Sequence, residues 1–435
     1  MSLGNSVNVS VGGKAEEGII PKTIEATENL KFSILLGYAI VVLFSSLLFN
    51  TPREIIEGLY NLTLSPSVLV SDYIVIGNLG AALFNSGLLM IISIYIAKFS
   101  DASMNGTVIA AVLTVGGFAF FGKNFYNIWS IFCGVYLYAK VQGEDFGKFL
   151  LVALFGTALG PLVSQTTFGL GLPLVSGVIL GNLLGIAAGF ILPPLANHVV
   201  KFHQGFNIYN VGFTAGMVGS LFMSLFRAFG AESNAVSIVA SGYNYKLGIY
   251  LTVLFSSMLV LGYLFNDRGF SGYDSLLESS GRLVDDYVTT EGFGLCFINM
   301  GLLGLLSTFY VLIIGGEISG SVVGGIFTIV GFGAFGKHLK NITPLLIGVY
   351  LASWIQTWEV TATGSLLAAL FGTTLAPIAG EFGWKSGILA GFIHMAVVMN
   401  VGYLHGGMNL YNNGFAGGLV AAMLVPILVS LKKGN

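Results

Sequence analysis

Charge is what this sequence has least of. Only 9% of its 435 residues are Asp, Glu, Lys or Arg, against about 25% in soluble chains, and that deficit excludes an ordinary water-soluble enzyme. Lys and Arg number 18 against 20 Asp and Glu, a net charge of −2. There is no basic surplus to hold nucleic acid and no charge excess to keep a chain disordered. Cysteine is nearly absent: Cys133 and Cys296 both lie in apolar stretches, as inert core residues do, and supply neither a disulfide framework nor a metal set. Signatures of the HExxH, GxSxG, Walker A and dinucleotide-binding kinds are missing in any suitable context. No acid, base or metal cluster sits within the apolar stretches and the loops are short, so no enzyme, cofactor or metal site is expected.

What is abundant is apolar surface. Residues of the AVILMFWYC set make up 55% of the chain, 61 residues are glycine, and the mean hydropathy is +0.85. Glycine at that frequency fits close helix packing and broken helices in a bilayer. The expectation is an all-α integral membrane protein, with the lipid bilayer as its first partner. The first 29 residues are polar, with Glu16, Glu17, Glu25 and Glu28, and no short apolar core follows a basic start. They read as a cytoplasmic tail and not as a cleaved signal.

The chain repeats itself. Phe121 to Leu137 and Phe335 to Leu351 agree at 9 of 17 positions, Leu154 to Pro161 and Leu370 to Pro377 at 6 of 8, and His203 to Val218 and His405 to Val420 at 9 of 16. The offset is 214 to 216 over the early blocks and 202 at the histidine block, which we read as extra residues in the first copy near Ile191 to His198. The organisation is a tail over 1–30, a first repeat over 31–230, a linker over 231–245, a second repeat over 246–431 and a basic tail over 432–435.

Measured against the roughly 20 residues a helix needs to cross, each repeat holds about seven hydrophobic segments, several short or interrupted by glycine. With fourteen crossings and the N-terminus inside, 14 basic residues fall inside and 4, namely Arg53, Lys123, Arg227 and Lys246, fall outside. Equivalent loops of the two repeats carry opposite bias, and cytoplasmic loops collect Lys and Arg. The reading is therefore two inverted-topology repeats with broken or re-entrant half-helices, in a cell membrane, with both termini cytoplasmic.

Inverted repeats bring discontinuous helices together near the midplane. The candidate is the histidine block: His203, Asn207, Tyr209 and Asn210 in one repeat, and His405, Asn409, Tyr411 and Asn412 in the other. Each is read as a loop and half-helix whose amide and hydroxyl groups face a solute path. Packing glycines with self-satisfied polar groups are the competing reading. Asn85 and Asn299 lie mid-span and serve either the path or interhelical bonding. Asp72 and Asp286 start their spans, as helix caps or as ion-coupling groups. Lys123 and Lys337 read as lysines snorkelling beyond a glycine helix stop, with a substrate carboxylate as the other possible partner. Thr157 and Thr373, before a proline, serve freed backbone groups or touch solute.

The motif YN-x-GF-x-[AG]-G in both halves resembles an uncharacterised bacterial membrane family, a domain of unknown function found duplicated, over nearly the whole chain from about residue 31. That likeness implies no activity. The chain also resembles urea-transporter-type channels: Tyr209-Asn210-Val211-Gly212 and Tyr411-Asn412-Asn413-Gly414 stand where that family has a Tyr/Phe-Asn-Gly run. The Asn-Pro-x-Ser/Thr-Gly signature of that family is absent, and seven segments per repeat exceed its five spans plus half-helix. The expected function is a transporter or channel for a small polar solute between the repeats. The alternatives are a proton- or sodium-coupled carrier of a small anion, and a non-transporting scaffold or sensor. Homo-oligomers fit any of these.

Overall fold

The computed structural model describes residues 26–433 except residue 234. Most of the N-terminal tail, and the last two residues, lie outside the described residues. The first copy contains α1 (Glu28–Ser45), α2 (Pro52–Leu64), α3 (Leu79–Phe99), α4 (Gly106–Phe118), α5 (Trp129–Gln142), the interrupted α6 (Phe146–Gly169), α7 (Leu174–His203) and α8 (Asn210–Ala228). The second contains α9 (Asn244–Phe265), α10 (Phe293–Ile313), α11 (Gly320–Phe332), α12 (Leu339–Ile355), the interrupted α13 (Thr363–Phe382), α14 (Trp384–His405) and α15 (Asn412–Lys433). Fourteen hydrophobic segments read from the sequence thus all fold as helices. The amphipathic α2, started by a reciprocal Thr51–Glu54 capping box, is additional.

Ten of the helices among the described residues are long and apolar enough to cross a bilayer, so the chain is a multi-pass membrane protein. The expectation of fourteen crossings is corrected by four shorter helices. A 13-residue helix such as α4 or α11 rises only about 20 Å, short of the roughly 30 Å apolar core. The pair α4 and α5 also returns to the end it left. Gly147, which opens α6, lies within 2.6 Å of the Ser100 carbonyl oxygen if given a Cβ, and α3 ends at Phe99. In the second copy Gly315, just after α10, meets Thr361, just before α13. Each short pair therefore begins and ends at one end of the neighbouring long helices, leaving five long helices per copy.

The two short first arms, α4 and α11, pack side by side and antiparallel. A Cβ on Gly106 would sit 2.1 Å from the Ala334 oxygen, and one on Gly320 would sit 2.7 Å from the Phe120 oxygen, so each helix begins where the other ends. Gly117 and Gly331 allow this approach, since a Cβ on either would sit 2.8 or 3.0 Å from the Gly324 or Ala110 oxygen. The second contact between the copies is the crossing of α8 and α15. Phe213 and Phe415 stack with centroids 5.6 Å apart, and each lies over a glycine of the other helix, Gly418 under Phe213 and Gly216 under Phe415. The GF-x-x-G spacing in both copies is the chemistry of this crossing.

Contacts also relocate the insertion in the first copy. Gly134 packs on Ile186 and Phe190 as Gly348 packs on Ile388 and Phe392, so the offset of 202 already holds at residue 186. The extra residues therefore precede Asn182, in the last turn of α6 and the first turns of α7, and not near Ile191 to His198. At the other end, Lys432 and Lys433 belong to the last turn of α15 and form no separate tail.

Candidate functional site

The histidine-block helices are not half-helices by length: α8 has 19 residues and α15 has 22. Their N-termini nevertheless lie at the contact between the copies, where a Cβ on Gly414 would sit 3.1 Å from Gly212 Cα. Among the described residues no side chain caps α8, so the positive end of its dipole is left open at this contact. His203 and His405 close the preceding helices, each followed by a left-handed residue, Gln204 or Gly406. His203 Nε2 is 3.0 Å from Asn210 Oδ1, and Asn210 Nδ2 donates to the Ala196 oxygen. His405 is buried against Phe415, and its Nε2 has no partner. Asn412 donates to the Val398 oxygen at 3.3 Å.

The loops before α8 and α15 reach across to the opposite copy. In α6 and α13 a tight turn at Thr157–Leu159 and Thr373–Leu375, ahead of Pro161 and Pro377, breaks the helix. Thr157 and Thr373 hydroxyls donate back to the Leu154 and Leu370 oxygens at 2.6 Å. The carbonyls of Ala158 and Thr374, freed by the turn, accept from the amides of Leu410 and Ile208, both at 3.1 Å. Asn207 donates to the Gly414 oxygen at 2.9 Å and accepts from Thr374 Oγ1.

The residues at the centre that the sequence reading placed elsewhere are the lysines. Gly122 and Gly336 hold φ of +94° and +88° and end α4 and α11. The Lys123 and Lys337 amides then bond back to the Phe118 and Phe332 oxygens. The glycine stop is as read, but the snorkelling is not: both lysines are fully buried, at 0% exposure. Asn85 and Asn299 hold them there. Asn85 Nδ2 donates to the Ala119 and Lys123 oxygens at 2.8 and 2.9 Å, and Asn299 Nδ2 to the Gly333 and Lys337 oxygens at 2.7 Å each. Both asparagines thus cap the short helices and position the lysine loops. Among the described residues neither lysine has an ion-pair partner.

Lys337 Nζ donates to Thr373 Oγ1 at 2.7 Å and to the Tyr209 hydroxyl, and lies 4.5 Å from the Tyr209 ring centroid. Lys123 Nζ lies 5.2 Å from the Phe118 centroid and has no hydrogen-bond partner. Between them runs a ladder of rings: Phe118 to Tyr411 at 4.6 Å, Tyr411 to Tyr209 at 5.5 Å, and Tyr209 to Phe332 at 4.7 Å. Asp72 and Asp286 sit away from this ladder. Each caps its own short turn, bonding to the Ile74 and Val288 amides, and reaches the first amide of the other copy's short helix, Gly320 or Gly106.

The duplicated geometry agrees with the match to known sequences. The family described as "Protein of unknown function (DUF1576)" matches residues 51–228 and again residues 265–430. The chain belongs to this family. Each DUF1576 unit begins after α1 or at the end of α9 and contains one buried lysine, one pair of short helices, one broken helix and one Tyr-Asn helix start. No curated protein and no solved structure matches the chain, so the likeness to urea-transporter channels rests on its quoted residues alone. What the sequence reading missed was the depth of the lysines. The signal was available in the FGK tripeptide, repeated at the end of an apolar segment too short to carry its lysine to a membrane surface.

Proposed function

We propose that this protein is a membrane transporter for a small anion, with Lys123 and Lys337 marking its path between the two copies. One observation carries the reading: two matched lysines are buried among apolar helices and, among the described residues, have no carboxylate to pair with. A buried, uncompensated ammonium is unfavourable by several kcal/mol, roughly, and ionisable groups at such depth mark substrate paths by default. A transported anion would supply the missing charge. The positive ends of α8 and α15, brought to the same centre, act in the same sense. Of the readings the sequence offers, a small polar solute and a small anion, the two buried lysines favour the anion.

The aromatic ladder between the lysines closes the path in this conformation. An odd number of long helices per copy, the antiparallel α4 and α11, and the opposite loop bias of the two copies support an inverted repeat. Taking Lys123 and Lys337 out of the loop count leaves 13 basic residues inside against 3 outside, which supports cytoplasmic termini in a cell membrane.

The test is stopped-flow light scattering on proteoliposomes stepped into potassium formate, nitrate or chloride with valinomycin, beside urea and glycerol. Anion entry should exceed that of empty vesicles by tenfold or more, and Lys123→Met or Lys337→Met should abolish the excess. Rapid urea or glycerol entry, indifferent to both substitutions, would overturn the anion reading in favour of a neutral pore. No acceleration for any solute would favour the scaffold.

A further inference from the structure

The two copies differ at the centre, and part of the difference can be traced to one position. In the broken helices the block reads Thr157-Ala158 in the first copy and Thr373-Thr374 in the second. Thr374 Oγ1 accepts from the Tyr209 amide at 3.1 Å and donates to Asn207 Oδ1, which leaves Asn207 free to donate to the Gly414 oxygen. Ala158 has no hydroxyl to do this on the other side. There Asn409 Oδ1 turns to the Tyr411 amide at 3.0 Å, and Asn409 Nδ2 is left with no partner.

Three more buried groups on that side share the condition. Among the described residues Lys123 Nζ has no hydrogen-bond partner and the Tyr411 and Thr114 hydroxyls face only each other, at loose geometry, whereas their counterparts Lys337, Tyr209 and Thr328 are all satisfied. Lys123 and Tyr411 flank the same ring, Phe118, with Thr114 one turn earlier on α4. Orphaned buried polar groups are rare because each costs about 1–3 kcal/mol. Here the asparagine amide nitrogen can only donate, as can the lysine whenever it is protonated, so what the cluster lacks is an acceptor.

Building on the anion reading, we infer that the copies are inequivalent: the Lys123 side is the binding site for a small monovalent anion, recognised by Lys123, Tyr411 and Thr114, with unpartnered Asn409 two residues before Tyr411 in the chain. The Lys337 side is a latch. Its ammonium is already held by Thr373 and Tyr209, so an anion arriving there must first displace a hydrogen bond within the protein.

Isothermal titration of the detergent-purified full chain with sodium formate, nitrate and chloride, in a sodium gluconate background, tests this. One anion per chain should bind. Tyr411→Phe, which removes a single hydroxyl, should weaken binding at least tenfold, and Tyr209→Phe less than threefold. Ala158→Thr supplies the hydroxyl present in the other half and should weaken binding threefold or more, while Thr374→Ala should add a second, weaker site. Lys123→Gln should abolish binding; if that variant does not fold, the single-hydroxyl variants still decide. Equal losses from Tyr411→Phe and Tyr209→Phe would overturn the inequivalence and leave the anion reading standing. Absence of any binding to the wild type would remove both.

Discussion

Asp72 of the first copy accepts a 2.8 Å hydrogen bond from the amide of Gly320, the first residue of the second copy's short helix. Asp286 returns the arrangement on Gly106 at 3.0 Å. A carboxylate at a helix N-terminus meets both unsatisfied amides and the positive end of the dipole. The two aspartates thereby fasten α4 and α11 to opposite copies, and through them the lysine loops at the far ends of those helices. Asp72→Ala should lower stability by about 3 kcal/mol, the scale of charge-assisted bonds lost from a buried site, with Asp72→Asn in between. Thermal unfolding in detergent measures it. A variant of unchanged melting temperature whose transport is lost would instead place Asp72 in ion coupling.

Asn85 and Asn299 each use both amide hydrogens on the carbonyls that end a short helix. Asn299→Leu leaves the Gly333 and Lys337 oxygens buried and unpaired, at a cost of about 2 kcal/mol. The same substitution frees the Lys337 loop. Faster amide hydrogen exchange should be seen over residues 333–341, with no change over 119–127. Equal protection in wild type and variant would show that the loop is held by other bonds.

Much of this architecture was legible beforehand. Duplication was written in the identical blocks, and hydropathy located all fourteen segments. What hydropathy does not give is where each segment ends in space, and Gly147 beside Ser100 is a contact 47 positions apart in sequence. The insertion was misplaced for a related reason, because a helix lengthened at its start looks the same in an alignment as one lengthened at its end. Lys123 was read as snorkelling because a lysine at the end of an apolar stretch usually reaches a surface. What holds it inside is Asn85, 38 residues earlier, a pairing with no local signature. The inequivalence of the two sides lay in plain view as Ala158 against Thr374, but its meaning required knowing what Asn207 and Asn409 touch.

The crossing of α8 and α15 predicts a reciprocal steric pair. A Cβ on Gly418 would stand 2.3 Å from Phe213 Cδ2, and one on Gly216 would stand 2.5 Å from Phe415 Cβ. Gly418→Val should destabilise by about 1–3 kcal/mol through overpacking. Phe213→Ala alone should also destabilise, by removing a large buried ring. Combined, the two should cost less than their sum by about 1 kcal/mol or more, the coupling expected of residues in direct contact. Strict additivity in a double-mutant cycle would mean that the helices had separated, and with them the Tyr-Asn helix starts.

The ring ladder carries the last prediction, because it is what stands between the two lysines. Phe332 lies 4.7 Å from Tyr209 and 5.7 Å from Phe155, and Phe118 lies 4.6 Å from Tyr411 and 5.6 Å from Phe371. Each ring therefore fills space that an anion would have to cross, and interior packing leaves no slack for it to pass while the rings stay in place. Phe332→Ala opens the ladder next to the latched lysine, and Phe118→Ala opens it next to the unpartnered one. Under the anion reading either substitution should raise valinomycin-driven anion leak tenfold or more, and the pair together should raise it further, while glycerol entry stays at the lipid background. The two asparagine caps and both lysines remain in these variants, so a gain in flux could not be assigned to a collapsed site. Unchanged flux in properly folded Phe118→Ala and Phe332→Ala proteins would mean that the solute does not travel along the rings, and would move the search for a path away from the junction of α4 with α11.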